Sequence, residues 1–198
     1  MTFPSTCRSF RWTMAVTISR RCWISFLVLL AVFGGVRLRA QMSTPSEYQV
    51  KAAFLYNFGK FVEWPADAFS DAEAPLVIGI YGNNPFGHDL EVMVAGKKIG
   101  SHPVDVRRVS ALTDLRRCHI VFISMSEQKN TASVVEALRG RGVLTVTENM
   151  KHFAGSELII NFVMENDQVH FEINGAAADR TGLAISSKLL SLARKPEK

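Results

Sequence analysis

The stretch that decides the fold is Leu76-Val77-Ile78-Gly79-Ile80-Tyr81-Gly82-Asn83-Asn84-Pro85. Its continuously apolar first part predicts a strand, Leu76–Tyr81, that is buried on both faces, as the strands of a parallel sheet are. The turn that follows predicts a helix of about ten residues, with Asn84 as its N-cap and Pro85 at its first position. A buried strand that leads directly into a helix is typical of an α/β protein.

Strands and helices alternate through most of the chain beyond this stretch. Further strands are predicted at residues 104–109, 119–124, 143–147, 158–163 and 169–173. Residues 126–139 have the apolar spacing of a helix, and Asn174 is the predicted cap of a single closing helix. The polar residues 164–168 predict a hairpin with a five-residue loop between the last two strands. This order indicates one α/β domain with a mainly parallel sheet and an antiparallel edge hairpin.

A helix is also predicted ahead of the first strand, from Glu47 onward. Ser46 is its predicted cap, and Trp64-Pro65 is predicted to end it because proline disfavours the helical conformation in the residue before it. Its apolar residues recur at three- and four-residue steps, and they include Val50, Ala53, Phe54, Phe58 and Phe61. An aromatic strip of this kind packs either against the protein's own core or against a partner, and the sequence leaves both interpretations open.

The first forty residues have the layout of a secretory signal peptide. They contain six arginines and no acidic residue, and the apolar run at residues 22–36 is closed by Arg37. A membrane-spanning helix needs about 20 apolar residues. We therefore predict that residues 1–40 are a cleaved signal peptide, with an uncleaved inner-membrane anchor as the alternative and Met14 as a second candidate start. Residues 41–198 are then a single periplasmic domain that is not inserted in the membrane.

Removal of this segment changes the charge of the chain. The full sequence has 23 Lys and Arg residues against 18 Asp and Glu residues, a net charge of +5. Residues 41–198 keep 17 basic and all 18 acidic residues, so their net charge is −1. The basicity of the full chain therefore gives no support to nucleic-acid binding.

Residues 41–198 contain a single cysteine, Cys118, which excludes an internal disulfide in this part of the chain. Cys118 directly precedes a predicted strand, and we interpret it as a small buried apolar residue. A free thiol that pairs between two chains is the alternative.

No pattern of catalytic or metal-binding residues stands out. The five histidines fall on different predicted elements without the spacing of metal ligands. The sequence has neither a nucleophile motif nor a close pair of carboxylates. The backbone amides of the turn at residues 79–84 are candidates for binding an anion, with a plain strand-to-helix turn as the alternative. We therefore expect no metal, no cofactor and no catalytic residue, and a protein that is not an enzyme.

Several segments between Glu47 and Arg194 share their pattern with one known family. They are Val50-Lys51-Ala52-Ala53-Phe54-Leu55-Tyr56-Asn57-Phe58, Phe61-Val62-Glu63-Trp64-Pro65, the turn at residues 82–87, the strand at residues 118–124, and the closing stretches at residues 169–174, 182–183 and 185–190. Together they resemble the YfiR-type periplasmic proteins. The resemblance implies a Rossmann-like three-layer sandwich that tends to form a homodimer.

The resemblance also implies a function. Such proteins are regulators that bind the periplasmic part of an inner-membrane diguanylate cyclase or sensor protein and hold it inactive, which controls cyclic di-GMP and biofilm formation. An outer-membrane lipoprotein can sequester the regulator. Some members carry two disulfides, and this chain departs from them because it keeps only Cys118. The alternative function is a periplasmic small-ligand receptor that binds at the carboxyl edge of the sheet.

Candidate partner-binding residues lie near the end of the first helix, in one irregular segment and near the end of the chain. They are Asn57, Lys60, Glu63, Trp64, Phe153, Arg180 and Ser186. Aromatic and charged residues of this kind are frequent anchors and rims of protein interfaces. Ser186 is equally compatible with a role in packing.

Overall fold

The computed structural model describes residues 45–196. The predicted signal peptide, residues 1–40, lies outside the described residues, so that assignment stays a prediction. None of the helices within residues 45–196 is long and apolar enough to cross a bilayer.

The described chain forms a seven-stranded sheet with helices on both faces, and a separate two-stranded ribbon. The strands are β1 (Val62–Glu63), β2 (Leu76–Tyr81), β3 (Lys98–Ile99), β4 (His102–Val109), β5 (Ile120–Ile123), β6 (Leu144–Glu148), β7 (Ile160–Glu165), β8 (Gln168–Ile173) and β9 (Ala184–Ile185). The α-helices are α1 (Glu47–Phe61), α2 (Asp89–Val94), α3 (Thr131–Leu138), α4 (Gly175–Arg180) and α5 (Ser187–Leu192). Short 3-10 helices occupy Leu112–Arg117, Met125–Asn130 and Phe153–Gly155.

The sheet has the strand order β3-β4-β2-β5-β6-β7-β8. Its five central strands are parallel, β7 and β8 form an antiparallel hairpin at one edge, and β3 pairs antiparallel with β4 at the other. Strands β1 and β9 pair only with each other, and we call this pair the β1–β9 ribbon. The predicted α/β fold with a mainly parallel sheet and an antiparallel edge hairpin is confirmed.

Two apolar cores lie on opposite faces of the sheet and make the fold three-layered. The larger core packs α1, α2, α4 and α5 against one face, and the smaller core packs α3 and the 3-10 helices Leu112–Arg117 and Phe153–Gly155 against the other. Both faces of β2 are buried along its whole length, as the unbroken apolar run Leu76–Tyr81 predicts.

The first helix begins where the sequence predicts and ends earlier. The Ser46 hydroxyl accepts a hydrogen bond from the Gln49 backbone N–H, and the Gln49 side chain accepts one from the Ser46 N–H, which completes a capping box. The helix ends at Phe61 rather than at Trp64-Pro65, because Val62 and Glu63 take an extended conformation to pair with β9.

The predicted helix after β2 is wrong in length and in its cap. The Asn84 Oδ1 accepts a hydrogen bond from the Phe86 N–H at 2.9 Å, and its Nδ2 donates to the Gly87 carbonyl at 2.9 Å. These bonds close a local turn of the kind that asparagine favours. The helix proper therefore starts only at Asp89 and has six residues.

The other helix predictions also differ in continuity. Residues 126–139 form a 3-10 helix followed by α3 rather than one helix. The closing helix is capped by Asn174, as predicted, through a bond from the Ala177 N–H to Oδ1 at 3.1 Å. It is interrupted at Gly182, whose φ of 77° ends α4 and leads into β9 before α5 begins.

The hairpin between β7 and β8 is tighter than the predicted five-residue loop. Met164 pairs with Val169 across the two strands, and Glu165 pairs with Gln168. This pairing leaves a two-residue turn. Asn166 and Asp167 occupy this turn with φ of 49° and 59°. Both residue types tolerate the left-handed conformation that such turns require, so the strands extend further than the polar sequence suggests.

Gly79 in β2 allows the Cys118 side chain to approach the sheet. A Cβ atom at position 79 would lie 2.6 Å from the Cys118 Sγ. Cys118 is a free, buried cysteine with 5 % exposure, which confirms its interpretation as a small interior residue.

We expect Gly79→Ala to lower the free energy of unfolding by about 1–3 kcal/mol through overpacking against Cys118. Because Cys118→Ala removes the crowding sulfur, the double variant should lose less stability than the sum of the two single variants. Urea denaturation of the four proteins measures this coupling. Gly155→Ala is the control, since a Cβ there meets no atom within 4 Å. Additive losses in the double variant would contradict the proposed contact.

Candidate functional site

The predicted partner-binding residues of the first helix meet the end of the chain at the β1–β9 ribbon. Glu63 pairs with Ala184 in the ribbon, and the Ser186 N–H donates to the Phe61 carbonyl at 2.9 Å. Lys60 and Glu63 are exposed. The structure therefore brings Lys60, Glu63 and Ser186 into one region, although Ser186 is more than 120 residues away from the other two in the sequence.

Trp64 extends this region toward the amino-terminal edge of the sheet. Its ring is half-buried, and its Nε1 donates a hydrogen bond to the His119 carbonyl at 3.3 Å. The ring also meets the Phe69 ring edge-on, with centroids 6.4 Å apart. Trp64 is thereby held in one orientation with part of its surface open to solvent. We call Lys60, Glu63 and Trp64 the ribbon patch.

Asn57 and Ser186 are less exposed to solvent than Lys60 and Glu63. Asn57 lies half-buried on α1, one turn before Lys60. The Ser186 hydroxyl accepts a hydrogen bond from the Leu189 N–H at 3.3 Å and caps α5. Its side-chain oxygen is therefore engaged in holding the helix.

Arg180 and Phe153 lie apart from the ribbon patch. Arg180 is exposed and forms an ion pair with Glu157 at 2.9 Å. Phe153 is only 2 % exposed and packs in the smaller core, because the segment after β6 folds back onto the sheet. In the described conformation the Phe153 ring therefore offers no surface to a partner.

The aromatic strip of α1 belongs to the larger core. The Phe58 ring is fully buried and stacks on the Phe162 ring of β7, with centroids 5.6 Å apart. Phe54 meets Phe171 of β8 edge-on at 5.3 Å. Of the two interpretations left open by the sequence, packing against the sheet therefore holds for these rings.

Two histidines hold the loop that follows Trp64. The Phe69 ring stacks between His102 and His119, with centroid distances of 3.8 Å and 4.3 Å and interplanar angles of 13° and 16°. The His102 Nδ1 lies 2.7 Å from the Ala74 carbonyl oxygen. This sandwich fixes the loop at residues 65–75 over the amino-terminal edge of the sheet.

The hydrogen bonds of His119 determine its protonation state. Its Nδ1 accepts a hydrogen bond from the Val77 backbone N–H at 3.0 Å, so Nδ1 carries no proton. Its Nε2 therefore carries the proton and donates to the Ala68 carbonyl at 3.1 Å. Burial lowers the pKa of His119 below its ordinary value of 6.5. The folded protein holds this imidazole in the neutral form.

A buried charge cluster joins α1 to the end of β6, and the sequence reasoning missed it. The fully buried Lys51 ammonium lies 2.5 Å from the Glu148 carboxylate and 2.5 Å from the Glu47 carboxylate. Tyr48 donates its hydroxyl to the same Glu148 oxygen at 3.2 Å. Burial, followed by the charge of Glu148, raises the pKa of Tyr48 to about 12. The sequence feature that indicates such a cluster is a lysine on the apolar face of an amphipathic helix.

This charge cluster is closed by the protein's own atoms. Glu148 is 1 % exposed, and its backbone carbonyl accepts a hydrogen bond from the Gln128 side chain at 2.7 Å. Each charged group of the pair thus has a partner, as burial of charge requires. The arrangement is therefore suited to fixing α1 on the sheet rather than to binding a ligand.

The turn after β2 is exposed at Gly82 and Asn83, but one of its amides already has a partner within the protein. The Asn83 N–H donates to the Ser126 hydroxyl at 3.0 Å, and the Glu127 side chain lies against Gly82. The Asn83 amide is thereby occupied, which favours the plain strand-to-helix connection over an anion site at that amide.

The described residues hold no group of three or more His, Cys, Asp or Glu side chains arranged to bind a metal ion. Burial raises the pKa of Cys118 to about 11, so its thiol is protonated at neutral pH and is a poor nucleophile.

The sequence model of the YfiR/HmsC-like family matches residues 48–194. The chain belongs to the YfiR/HmsC-like family. A search of curated proteins found no match. The predicted family resemblance is thereby confirmed, and the match spans every described element from α1 to α5.

We expect Lys51→Met to destabilise this YfiR/HmsC-like protein by about 3–5 kcal/mol, because it leaves the buried Glu148 carboxylate unpaired. The double variant Lys51→Met/Glu148→Leu should recover most of that loss, since it removes both charges. Urea denaturation measures both effects. Lys60→Met on the exposed part of the same helix is the control and should change stability by less than about 0.5 kcal/mol. A double variant as unstable as the single one would refute this assignment.

We expect acid to destabilise the protein partly through His119. Since the pKa of His119 is lowered on folding, the unfolded chain binds more protons below pH 6.5. The contribution of the neutral imidazole is fully present above that pH and decreases as the pH falls below it. The variant His119→Asn keeps a hydrogen-bond acceptor for the Val77 N–H, and its side chain does not take up a proton in this pH range.

The free energy of unfolding, measured between pH 7 and pH 5, should therefore fall less steeply for His119→Asn than for the wild type. The variant should also be less stable at pH 7, because it loses the bond to Ala68 and the stacking on Phe69. His88→Asn, at an exposed position, is the control and should keep the wild-type slope. Equal slopes for His119→Asn and the wild type would contradict the neutral assignment.

Proposed function

We propose that this YfiR/HmsC-like protein is a periplasmic regulator that binds and represses the periplasmic part of an inner-membrane diguanylate cyclase. In this role it controls cyclic di-GMP and, through it, biofilm formation. The observation that carries the proposal is the family match over residues 48–194. The predicted signal peptide at residues 1–40 supports the periplasmic location.

A protein outside the inner membrane can influence cyclic di-GMP in the cytoplasm only through a membrane partner. The regulator would therefore act by stabilising the inactive conformation of the cyclase, which requires tighter binding to that conformation than to the active one. An outer-membrane lipoprotein that competes for the regulator would release the cyclase. A homodimer of the regulator would present two equivalent surfaces to a dimeric partner.

The ribbon patch is the surface that we assign to the membrane partner. Trp64 combines an open ring surface with a fixed orientation, so little conformational freedom is lost when a partner covers it. Glu63 directly precedes Trp64, and the Lys60 ammonium lies 5.0 Å from the centre of the Tyr56 ring at the end of α1. The patch therefore carries two opposite charges that favour one orientation of the partner. Glu63 lies in the β1–β9 ribbon, Lys60 lies in the last turn of α1 just before it, and Trp64 directly follows it.

The test is co-purification of the tagged protein with membranes in mild detergent, followed by identification of the captured protein. We expect a diguanylate cyclase with a periplasmic domain, and we expect deletion of the regulator to raise cyclic di-GMP. Capture of no membrane protein, together with unchanged cyclic di-GMP on deletion, would refute the proposed function.

We expect the double charge exchange Lys60→Glu/Glu63→Lys to weaken binding of that periplasmic domain by about tenfold, because it reverses both charges beside Trp64 without changing the net charge. The matched control is Asp105→Lys/Arg107→Glu, an exchange within an exposed ion pair on β4. Titration calorimetry measures both affinities. If both exchanges leave the affinity unchanged, the ribbon patch is not the binding surface.

A further inference from the structure

A second surface of the protein is a groove beside α3 that the assigned function does not use. Three adjoining cavities of about 430, 460 and 250 Å³ share lining residues and follow one another along this side of the molecule. Val135 and Arg139 line both the first and the second, and Arg141 and Val143 line both the second and the third. We call this continuous depression the arginine groove.

The arginine groove is long rather than compact. Its first cavity includes Thr131, at the start of α3, and its second includes Leu138, at the end of that helix. Eight helical residues span about 12 Å, and the third cavity continues beyond them to Pro65. An extended peptide advances about 3.3 Å per residue, so at least four residues fit along the groove. This shape favours a peptide over a single small anion.

Positive charge is concentrated in the middle of the groove. The central cavity is lined by Arg139, Arg141 and Arg180 and by one acid, Glu157. The side chain of Arg141 makes no hydrogen bond or ion pair to any residue within 45–196. This local excess of positive charge contrasts with the net charge of residues 41–198, which is −1. Guanidinium groups bind carboxylates through two parallel hydrogen bonds, which makes an acidic partner the complementary one.

The acids near the groove do not block it. Arg180 pairs with Glu157 at 2.9 Å, and Arg139 pairs with Glu136 at 2.7 Å. Both pairs are more than half exposed, and pairs of this kind contribute little and exchange partners readily. Each guanidinium group carries five N–H donors, so donors remain for another carboxylate. The remaining acid, Asp67, lies in the third cavity, which also contains Arg116.

The floor of the groove is apolar. Val135 on α3 and Met150 after β6 are half-buried and line it together with the buried Val143 and Ile159. An apolar side chain between two carboxylates would cover Val135 and Met150. The third cavity reaches Pro65, which packs against Gly142 and directly follows Trp64. The groove therefore adjoins the ribbon patch, so one partner can contact both.

We propose that the arginine groove binds an extended acidic segment of a protein partner, whose carboxylates pair with Arg139, Arg141 and Arg180 while an apolar side chain contacts the floor. Assigning that segment to the membrane partner rests on the proposed function. Binding of an acidic peptide does not rest on it, and the two are tested separately.

The direct test uses a fluorescein-labelled hexapeptide of alternating Glu and Leu, with the corresponding Gln and Leu peptide as its uncharged counterpart. Fluorescence anisotropy should show binding of the acidic peptide that weakens with added salt, and binding of the uncharged peptide that is at least about tenfold weaker. Equal affinities for the two peptides would overturn the proposal. So would displacement of the acidic peptide by millimolar inorganic phosphate, since the groove would then be a site for small anions.

The groove variant is Arg139→Gln/Arg141→Gln/Arg180→Gln. The control variant Lys98→Gln/Arg107→Gln/Arg108→Gln makes the same change of net charge at exposed positions on β3 and β4. We expect the groove variant to bind the acidic peptide at least about tenfold more weakly and the control variant to match the wild type. Equal binding by the groove variant and the wild type overturns the proposal. Loss of a dimer in the groove variant alone, seen by sedimentation, also overturns it, because the groove would then be a contact between two copies.

Binding to the purified periplasmic domain of the membrane partner separates the two proposals. If the wild type binds the acidic peptide and no such domain, the groove proposal stands and the proposed function fails. If the domain binds the groove variant as tightly as the wild type, the assignment of the groove to this partner is overturned and the proposed function stands.

The folding of both variants is checked by thermal unfolding. An unfolding temperature equal to that of the wild type shows that the fold of the variant is intact.

Discussion

The buried ion pair between Lys51 and Glu148 is the interaction on which the arrangement of the molecule depends. It joins the second turn of α1 to the carboxyl end of β6, in a place where neither charge reaches water. An unpaired charge at this depth would cost several kcal/mol, so α1 has one favourable position on the sheet. Because the amino-terminal end of α1 is fixed there, the carboxyl-terminal end of α1 reaches the amino-terminal edge of the sheet. That edge is where Trp64 and the β1–β9 ribbon lie.

The candidate surfaces follow from this geometry. In many open α/β proteins the carboxyl edge of the sheet binds ligands, whereas here the end of β6 at that edge is occupied by the buried Lys51–Glu148 pair. The ribbon patch and the arginine groove occupy the amino-terminal edge and the adjoining helix α3 instead. These exposed charged residues beside a half-buried aromatic ring form the surface that we propose for a protein partner of this YfiR/HmsC-like protein.

The sequence predicts the elements of this fold better than their ends. An unbroken apolar run fixes Leu76–Tyr81, and the caps at Ser46 and Asn174 are local interactions that a few neighbouring residues determine. Two of the errors arise where an asparagine or a glycine closes a turn, at Asn84 and at Gly182. The pattern alone does not distinguish a helix start from a local turn, because the same residue types form both.

The candidate site was only partly predictable for a different reason. Lys60, Glu63 and Trp64 are near neighbours in sequence, so the end of one helix indicates all three. The Lys51–Glu148 pair joins residues 97 positions apart, and Phe153 is covered by a segment whose path depends on the whole smaller core. No local pattern reports such contacts, since only the completed topology decides which distant side chains meet.

Under the proposed function the protein is exported and acts on a membrane partner, and the β1–β9 ribbon then has a consequence for when it becomes functional. Its two strands come from opposite ends of the described chain, at Val62–Glu63 and Ala184–Ile185. A chain that crosses the inner membrane from its amino terminus presents the first strand long before the second. The ribbon therefore forms only when translocation is nearly complete. A partly exported chain has no finished ribbon, so it cannot engage a membrane partner through that surface before its own fold is assembled.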